Sequence, residues 1–255
     1  MILEENREYR REDNIIYRDN IAFIKLHQDF INISSFSKTV FDYMNRYLER
    51  FPQLFTYIES KMKIIKFFYG LETTGTNVKI HGIHQISGCI EVNDEVVEHF
   101  DFKVRPNPKA KIEPEALSHS GVTEEIIMEY PEMKSVHKKI VALLGKYVDR
   151  YNPKEKIYLV GFNNRKFDDI FFRAWFEQNG DDFFGSWFWG ESLDVMVQAC
   201  EYLINRRLAM PSFKLKRVAL ELGLDVDETR LHDAVYDISL TRDIYRIVTF
   251  REIEV

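Results

Sequence analysis

The most constraining stretch of this chain is Ile64-Ile65-Lys66-Phe67-Phe68-Tyr69, a short apolar run closed by Gly70. A half-exposed strand alternates apolar and polar residues, and an amphipathic helix repeats every three to four. A brief run with neither period belongs to a strand buried on both faces. The chain must therefore supply packing layers on either side of it. It has the material: 45% of its 255 residues are hydrophobic, with 20 Phe and 13 Tyr, and 30% are charged. That is the balance of a globular protein, not of a disordered or fibrous one.

Two further strands read from His84 to Glu91 and from Val96 to Val104, joined by an Asn93-Asp94-Glu95 turn. An irregular, Pro-containing stretch runs from Pro106 to Thr123, followed by a helix from about Pro131 to Arg150 and an apolar strand at Ile157 to Gly161. Helical patterns cover 168–178, 193–205, 213–222 and 232–248. Antiparallel strands first, then strands alternating with helices, predict an α/β fold with a mixed sheet flanked by helices. The chain before this reads differently. Residues 4–20 are highly charged, a short strand or hairpin fits 21–26, and Val40, Phe41, Met44, Tyr47, Leu48 and Phe51 recur at helical spacing after a capping Ser37. The expectation is a mainly helical extension over 1–61 ahead of a domain over 62–255. Its aromatic stripe packs on that domain or, in the sharper reading, docks a partner protein through residues 37–60.

No apolar run approaches the ~18 residues of a membrane span, and the N-terminus lacks the basic and apolar segments of a secretory signal. Cys89 and Cys200 alone cannot build a disulfide scaffold or a four-cysteine zinc site. A reducing, cytoplasmic home is expected. His81-x-x-His84 near Cys89 lacks a fourth ligand, so zinc is rejected. The net charge of −6 neither announces a nucleic-acid binder nor excludes one, because a metal-dependent nuclease carries its own carboxylates.

Three acidic positions fall where such a fold exposes residues. Glu72 follows the buried strand, Asp168 follows the strand at Leu159 and opens a helix, and Asp237 lies in the last helix. Carboxylates converging at strand and helix ends hold Mg²⁺ or Mn²⁺, hard ions that prefer oxygen, and a nearby His can take a proton from water.

The segments around them are Gly70-Leu71-Glu72-Thr73-Thr74-Gly75, Asn164-Arg-Lys-Phe167-Asp168 and His232-Asp-Ala234-Val-Tyr-Asp237. In this order they resemble the motifs Asp-x-Glu-Thr-Thr-Gly, Asn-x-x-x-Asp and His-x-x-x-x-Asp of the DEDDh, or DnaQ-like, 3′–5′ exonucleases. Leu117 to Thr123 and Phe213 to Gly223 resemble intervening segments of the same family. The resemblance spans about residues 63 to 250 and implies a ribonuclease-H-like fold. It also implies removal of nucleoside monophosphates from a 3′ end by two metal ions, Mg²⁺ or Mn²⁺. In the implied roles Glu72, Asp168 and Asp237 hold metal and His232 is the general base. Leu71, Thr73, Thr74, Asn164 and Phe167 then meet the single-stranded end. The stretch from Phe162 to Asp169 is most similar to the exonuclease I branch, so DNA is favoured over RNA.

One departure outweighs the matches: Gly70 stands where the family has the Asp that bridges both ions. The expectation is a half-built metal site and a chain impaired in hydrolysis. Because Glu72, Asp168, His232 and Asp237 all persist, the loss reads as recent or engineered. The competing readings are a catalytically dead nucleic-acid-binding or adaptor module and a polymerase-associated proofreading subunit. Lys214, Lys216 and Arg217 are candidate phosphate contacts or a solvated helix face, and Phe183 to Trp189 is a strand, a packed loop or a wall of a single-strand channel.

Overall fold

The computed structural model describes residues 9–12, 15–18, 21–25, 63–230 and 234–249. Contacts divide the chain into two compact units, residues 1–63 with 252–255, and residues 64–251. In the first, β1 (Tyr9–Glu12), β2 (Ile15–Arg18) and β3 (Ile21–Lys25) form an antiparallel three-stranded sheet. The described part of the extension is thus strand, including residues before Ile21 that read as merely charged. Its β-branched and aromatic positions, Ile15, Ile16 and Tyr17, suit a pleated pairing. The helical pattern expected over 37–60 lies outside the described residues.

The second unit is built on a five-stranded sheet in the order β6-β5-β4-β7-β8. Strand β4 (Ile65–Thr73) is central, antiparallel to β5 (Ile83–Val92) and parallel to β7 (Tyr158–Gly161). On one side β6 (Glu95–Lys103) pairs antiparallel with β5; on the other, the two-residue β8 (Leu193–Asp194) pairs parallel with β7. The β5–β6 turn places Asn93 and Asp94 at φ of 52° and 69°, the left-handed conformation that tight hairpins require.

The apolar run has the meaning its lack of period implies. Ile65, Phe67, Tyr69 and Leu71 pack into one core, with α3 (Met133–Leu144) and α4 (Asp168–Gln178) above it. Phe68 packs into a second core on the opposite face, with α6 (Val195–Tyr202), α7 (Leu215–Glu221) and α8 (Ala234–Thr249). Glu91, 2% exposed on β5, takes Arg242 of α8 at 2.6 Å and so fixes that helix against the sheet. Pairing matters here, because an isolated buried charge would be far too costly.

Three local expectations are corrected. The stretch expected to be irregular from Pro106 to Thr123 contains one short helix, α1 (Pro114–Ser120), and a second, α2 (Glu124–Met128), follows it directly. The helix expected from Leu193 begins two residues later, because Leu193 and Asp194 join the sheet. The aromatic segment forms α5 (Phe184–Trp187), whose Phe184 and Trp187, with Phe188, are buried in the first core. Those rings therefore form no channel wall; Phe183 alone among them is largely exposed, at 66%.

Candidate active site

Strand β4 ends, helix α4 begins and helix α8 begins with the three expected carboxylates. Asp168 is the first residue of α4, where the positive helix end suits an anion. One of its oxygens accepts the Leu71 backbone N–H at 3.0 Å, which stitches α4 to the motif strand. Burial nonetheless pushes the Asp168 carboxyl up to about 7, against its hydrogen bonds, with the charges of Asp169 and Glu72 adding to the effect. Glu72 is pushed up to about 7 as well, by burial first and then by Asp237, with Lys103 opposing. Carboxyls that raise one another in this way share a neighbourhood. Glu72 at the end of β4 thus lies within electrostatic reach of Asp168 on α4 and of Asp237 on α8.

Position 70 faces the same side of the sheet as Glu72, two residues on, and a Cβ built there meets nothing within 4 Å. The glycine is not required by packing. Across the pair, Ser87 is fully buried with its hydroxyl unbonded.

Glu72, Asp168 and Asp237 are the oxygen donors that would hold a hard divalent ion here. Among the described residues, no group of three His, Cys, Asp or Glu side chains is arranged to hold one. His232 lies outside the described residues, so its expected role as base has no geometry here.

The expected substrate contacts fare differently from the carboxylates. Leu71 is 8% exposed and packs in the core, so its side chain offers no wedge to a base. The Thr73 hydroxyl donates to the Gly75 carbonyl at 2.8 Å. Thr74 is fully buried; its hydroxyl donates to the Lys111 carbonyl at 2.6 Å and accepts the Gly82 N–H at 3.0 Å. Both hydroxyls hold the loop in shape rather than facing a sugar. Asn164 is also fully buried and donates to Asp169 at 3.1 Å, so in this structure it positions a neighbour. Phe167 is half-buried against Phe171, ring centres 4.9 Å apart. Of the candidate cations, Lys216 pairs with Glu228 at 2.7 Å and Arg217 with Glu221 at 2.8 Å, which commits both to the fold.

Two groups of supporting residues escaped sequence reasoning. Asp169 accepts hydrogen bonds from Tyr69, Asn164 and Ser192, and burial with the nearby aspartates holds the Tyr69 hydroxyl well above its usual range, so it stays a donor. The tandem Asp168-Asp169 was the available signal. His81, the rejected zinc ligand, accepts the Asn77 N–H at 2.9 Å and lies 3.1 Å from Glu113. A Cβ at Gly75 would come within 2.5 Å of its ring, so His81 braces the motif loop. His84, buried beside Ser120 at 3.4 Å, is pushed down to about 4 by burial and Lys103.

Residues 67–245 match the family model described as exonuclease, of the RNase T type. The chain belongs to this exonuclease family. Among curated proteins, the PolC-type DNA polymerase III of Mycoplasmopsis pulmonis (strain UAB CTIP) is 23% identical over 177 residues, which is 69% of this chain and 11% of the polymerase. Among solved structures, E. coli exonuclease I bound to a dT13 oligonucleotide superposes with a TM-score of 0.60 at 22% identity, covering 74% of this chain and 42% of that one. A zinc-bound complex of the same enzyme with single-stranded DNA gives a TM-score of 0.60 at 22% identity, covering 74% and 41%. The fold of residues 64–251 is therefore that of the ribonuclease-H-like exonucleases. The chain spans only a minor share of the length of these relatives. Among the described residues no helix is long and apolar enough to cross a membrane.

Proposed function

We infer that this chain is a 3′–5′ exonuclease domain that engages the 3′ end of single-stranded nucleic acid and is disabled in hydrolysis by glycine at position 70. The reading is supported by Glu72 at the end of β4, within electrostatic reach of Asp168 on α4 and Asp237 on α8, beside position 70, where a side chain would meet nothing within 4 Å. With Asp at 70, the reaction is release of nucleoside monophosphates from the 3′ end in the presence of Mg²⁺ or Mn²⁺, with His232 as base. DNA is favoured over RNA, a choice supported by the oligonucleotide complexes of exonuclease I. The domain acts in the cytoplasm.

The test is digestion of 5′-labelled single-stranded DNA and RNA by the chain and by its Gly70→Asp form, each with Mg²⁺ or Mn²⁺. Shortening from the 3′ end by the Gly70→Asp form alone, faster on DNA, is the expected result. Hydrolysis by the unaltered chain at a comparable rate would overturn the assignment of position 70. Inactivity of both, with the 3′ end still bound, would favour the second reading, a binding or adaptor module on a nuclease fold. That reading draws on the absence of a three-ligand group among the described residues. The similarity to a PolC-type polymerase supports a polymerase as protein partner, with contact through residues 37–60.

A further inference from the structure

Two of the three cations that the sequence offered for phosphate contact, Lys216 and Arg217 on α7, pair with Glu228 and Glu221, and Lys214 stands exposed just before that helix. Three further lysines lie on turns that are hydrogen-bonded to the motif loop. Two turns pack against Thr73-Thr74-Gly75. In the first, the Asn77 side chain accepts the Lys79 N–H at 3.0 Å, and in the second the Asn107 side chain accepts the Lys109 N–H at 3.0 Å. Each Asn locks its own turn and leaves the lysine displayed. The turns are joined to one another by the Lys111 N–H donating to the Ile80 carbonyl at 2.7 Å. They are joined to the motif loop by Thr74, which donates to the Lys111 carbonyl and takes the Glu113 N–H at 2.9 Å.

Lys79, Lys109 and Lys111 are exposed, and none forms an ion pair with a described residue. Glu113, the acid on this rim, stands against His81. The arrangement is therefore an acidic centre with a basic edge, hydrogen-bonded to the loop that ends at that centre, on a chain whose net charge is −6. Unpaired lysines on an acidic protein attract a polyanion locally while the centre repels one.

We propose that the rim formed by Lys79, Lys109 and Lys111 binds the phosphates of the single strand upstream of its 3′ end, reading charge and not base identity. The proposal rests on the reading of the domain as one that engages a 3′ end, and it adds the direction in which the strand leaves the centre. The contacts are to phosphates beyond the terminal one, so they depend on strand length.

The test measures fluorescence anisotropy of 5′-labelled dT2 and dT12 in EDTA across a salt series. It compares the unaltered chain, the rim variant Lys79→Glu/Lys109→Glu/Lys111→Glu and a control, Lys138→Glu/Lys139→Glu/Lys154→Glu. The control lysines are also exposed, on α3 and the loop after it, so both variants change the net charge equally. Expected is a loss of dT12 affinity of at least ~10-fold in the rim variant, with the salt slope reduced by about 2, as three lost phosphate contacts to a single strand imply. Affinity for dT2 should change little, and the control should lose less than ~3-fold. Equal losses in rim and control variants would overturn the rim while leaving the 3′-end reading intact. Failure of the unaltered chain to bind either oligonucleotide would overturn both.

Discussion

Tyr69 and Gly70 are neighbours on β4, and Asp168 and Asp169 are neighbours on α4, yet each pair is divided between two regions of opposite character. Tyr69 and Asp169 belong to a closed network in which Asp169 accepts from Tyr69, Asn164 and Ser192. Gly70 and Asp168 belong to a centre whose carboxyls are raised by burial and by neighbouring carboxylates. Simple geometry makes the division. Consecutive strand residues face opposite sides of the sheet, and consecutive helix residues turn by about 100°. A hydrogen-bonded network thus stands one residue behind the carboxyl centre on both elements, which gives the fold a rigid backing for like charges held near one another.

The largest expected effect comes from breaking the closed side. Asp169→Ala leaves the Tyr69 hydroxyl and the Asn164 amide buried without their shared acceptor, and should destabilise the domain by about 3 kcal/mol. Denaturant unfolding measures this directly. Asp168→Asn, one residue away, should instead leave stability unchanged or raise it by ~1 kcal/mol, because it removes a carboxylate that burial disfavours. If the two substitutions cost the same, the contrast between the regions is wrong.

The next effect is a pH dependence belonging to the open side alone. Glu72 and Asp168 move from ordinary values of 4.5 and 3.8 to about 7 in the folded protein. Each therefore holds its proton more readily when folded, so the native state binds more protons than the unfolded chain between those limits. Stability must fall as pH rises from about 4 to about 7. The expected loss is on the order of 2 kcal/mol once partial access of solvent is allowed for. Thermal unfolding from pH 4 to 8 tests the sign, and the slope should flatten in a Glu72→Gln/Asp168→Asn form. A rise in stability over that window would show that cations or unseen donors already neutralise the centre.

How much of this was legible in the sequence follows the same division. The central strand was legible because a strand buried on both faces has to be continuously apolar, and Phe67 and Phe68 do enter different cores. The positions of Glu72, Asp168 and Asp237 at strand and helix ends were legible because the change of period along the chain marks where those elements end and begin. The closed network was not, because Asp169 meets Tyr69 from 100 positions away and Ser192 from 23. Asn164 shows the same limit: the resemblance implies a substrate contact, and its burial and its bond to Asp169 are visible only in the folded chain. Phe184 to Phe188 carries no period at all, so only tertiary packing decides that it folds inward.

The smallest expected effect sharpens the comparison at its most informative position. A glycine held for packing resists a methyl group, whereas one that merely lacks a side chain accepts it. At Gly70 a Cβ meets nothing within 4 Å, and the residue is not among those with positive φ. Gly70→Ala should therefore stabilise the domain by roughly 0.5 kcal/mol, through the reduced freedom of the unfolded chain. It should leave oligonucleotide binding as it is. Thermal unfolding at pH 5, where Glu72 and Asp168 are largely protonated, isolates this backbone effect from the carboxylates. Stabilisation there would mean the open centre tolerates a side chain at 70, so that any cost of Gly70→Asp is electrostatic. Destabilisation would mean the strand needs glycine, and the missing carboxylate would then be a consequence of packing.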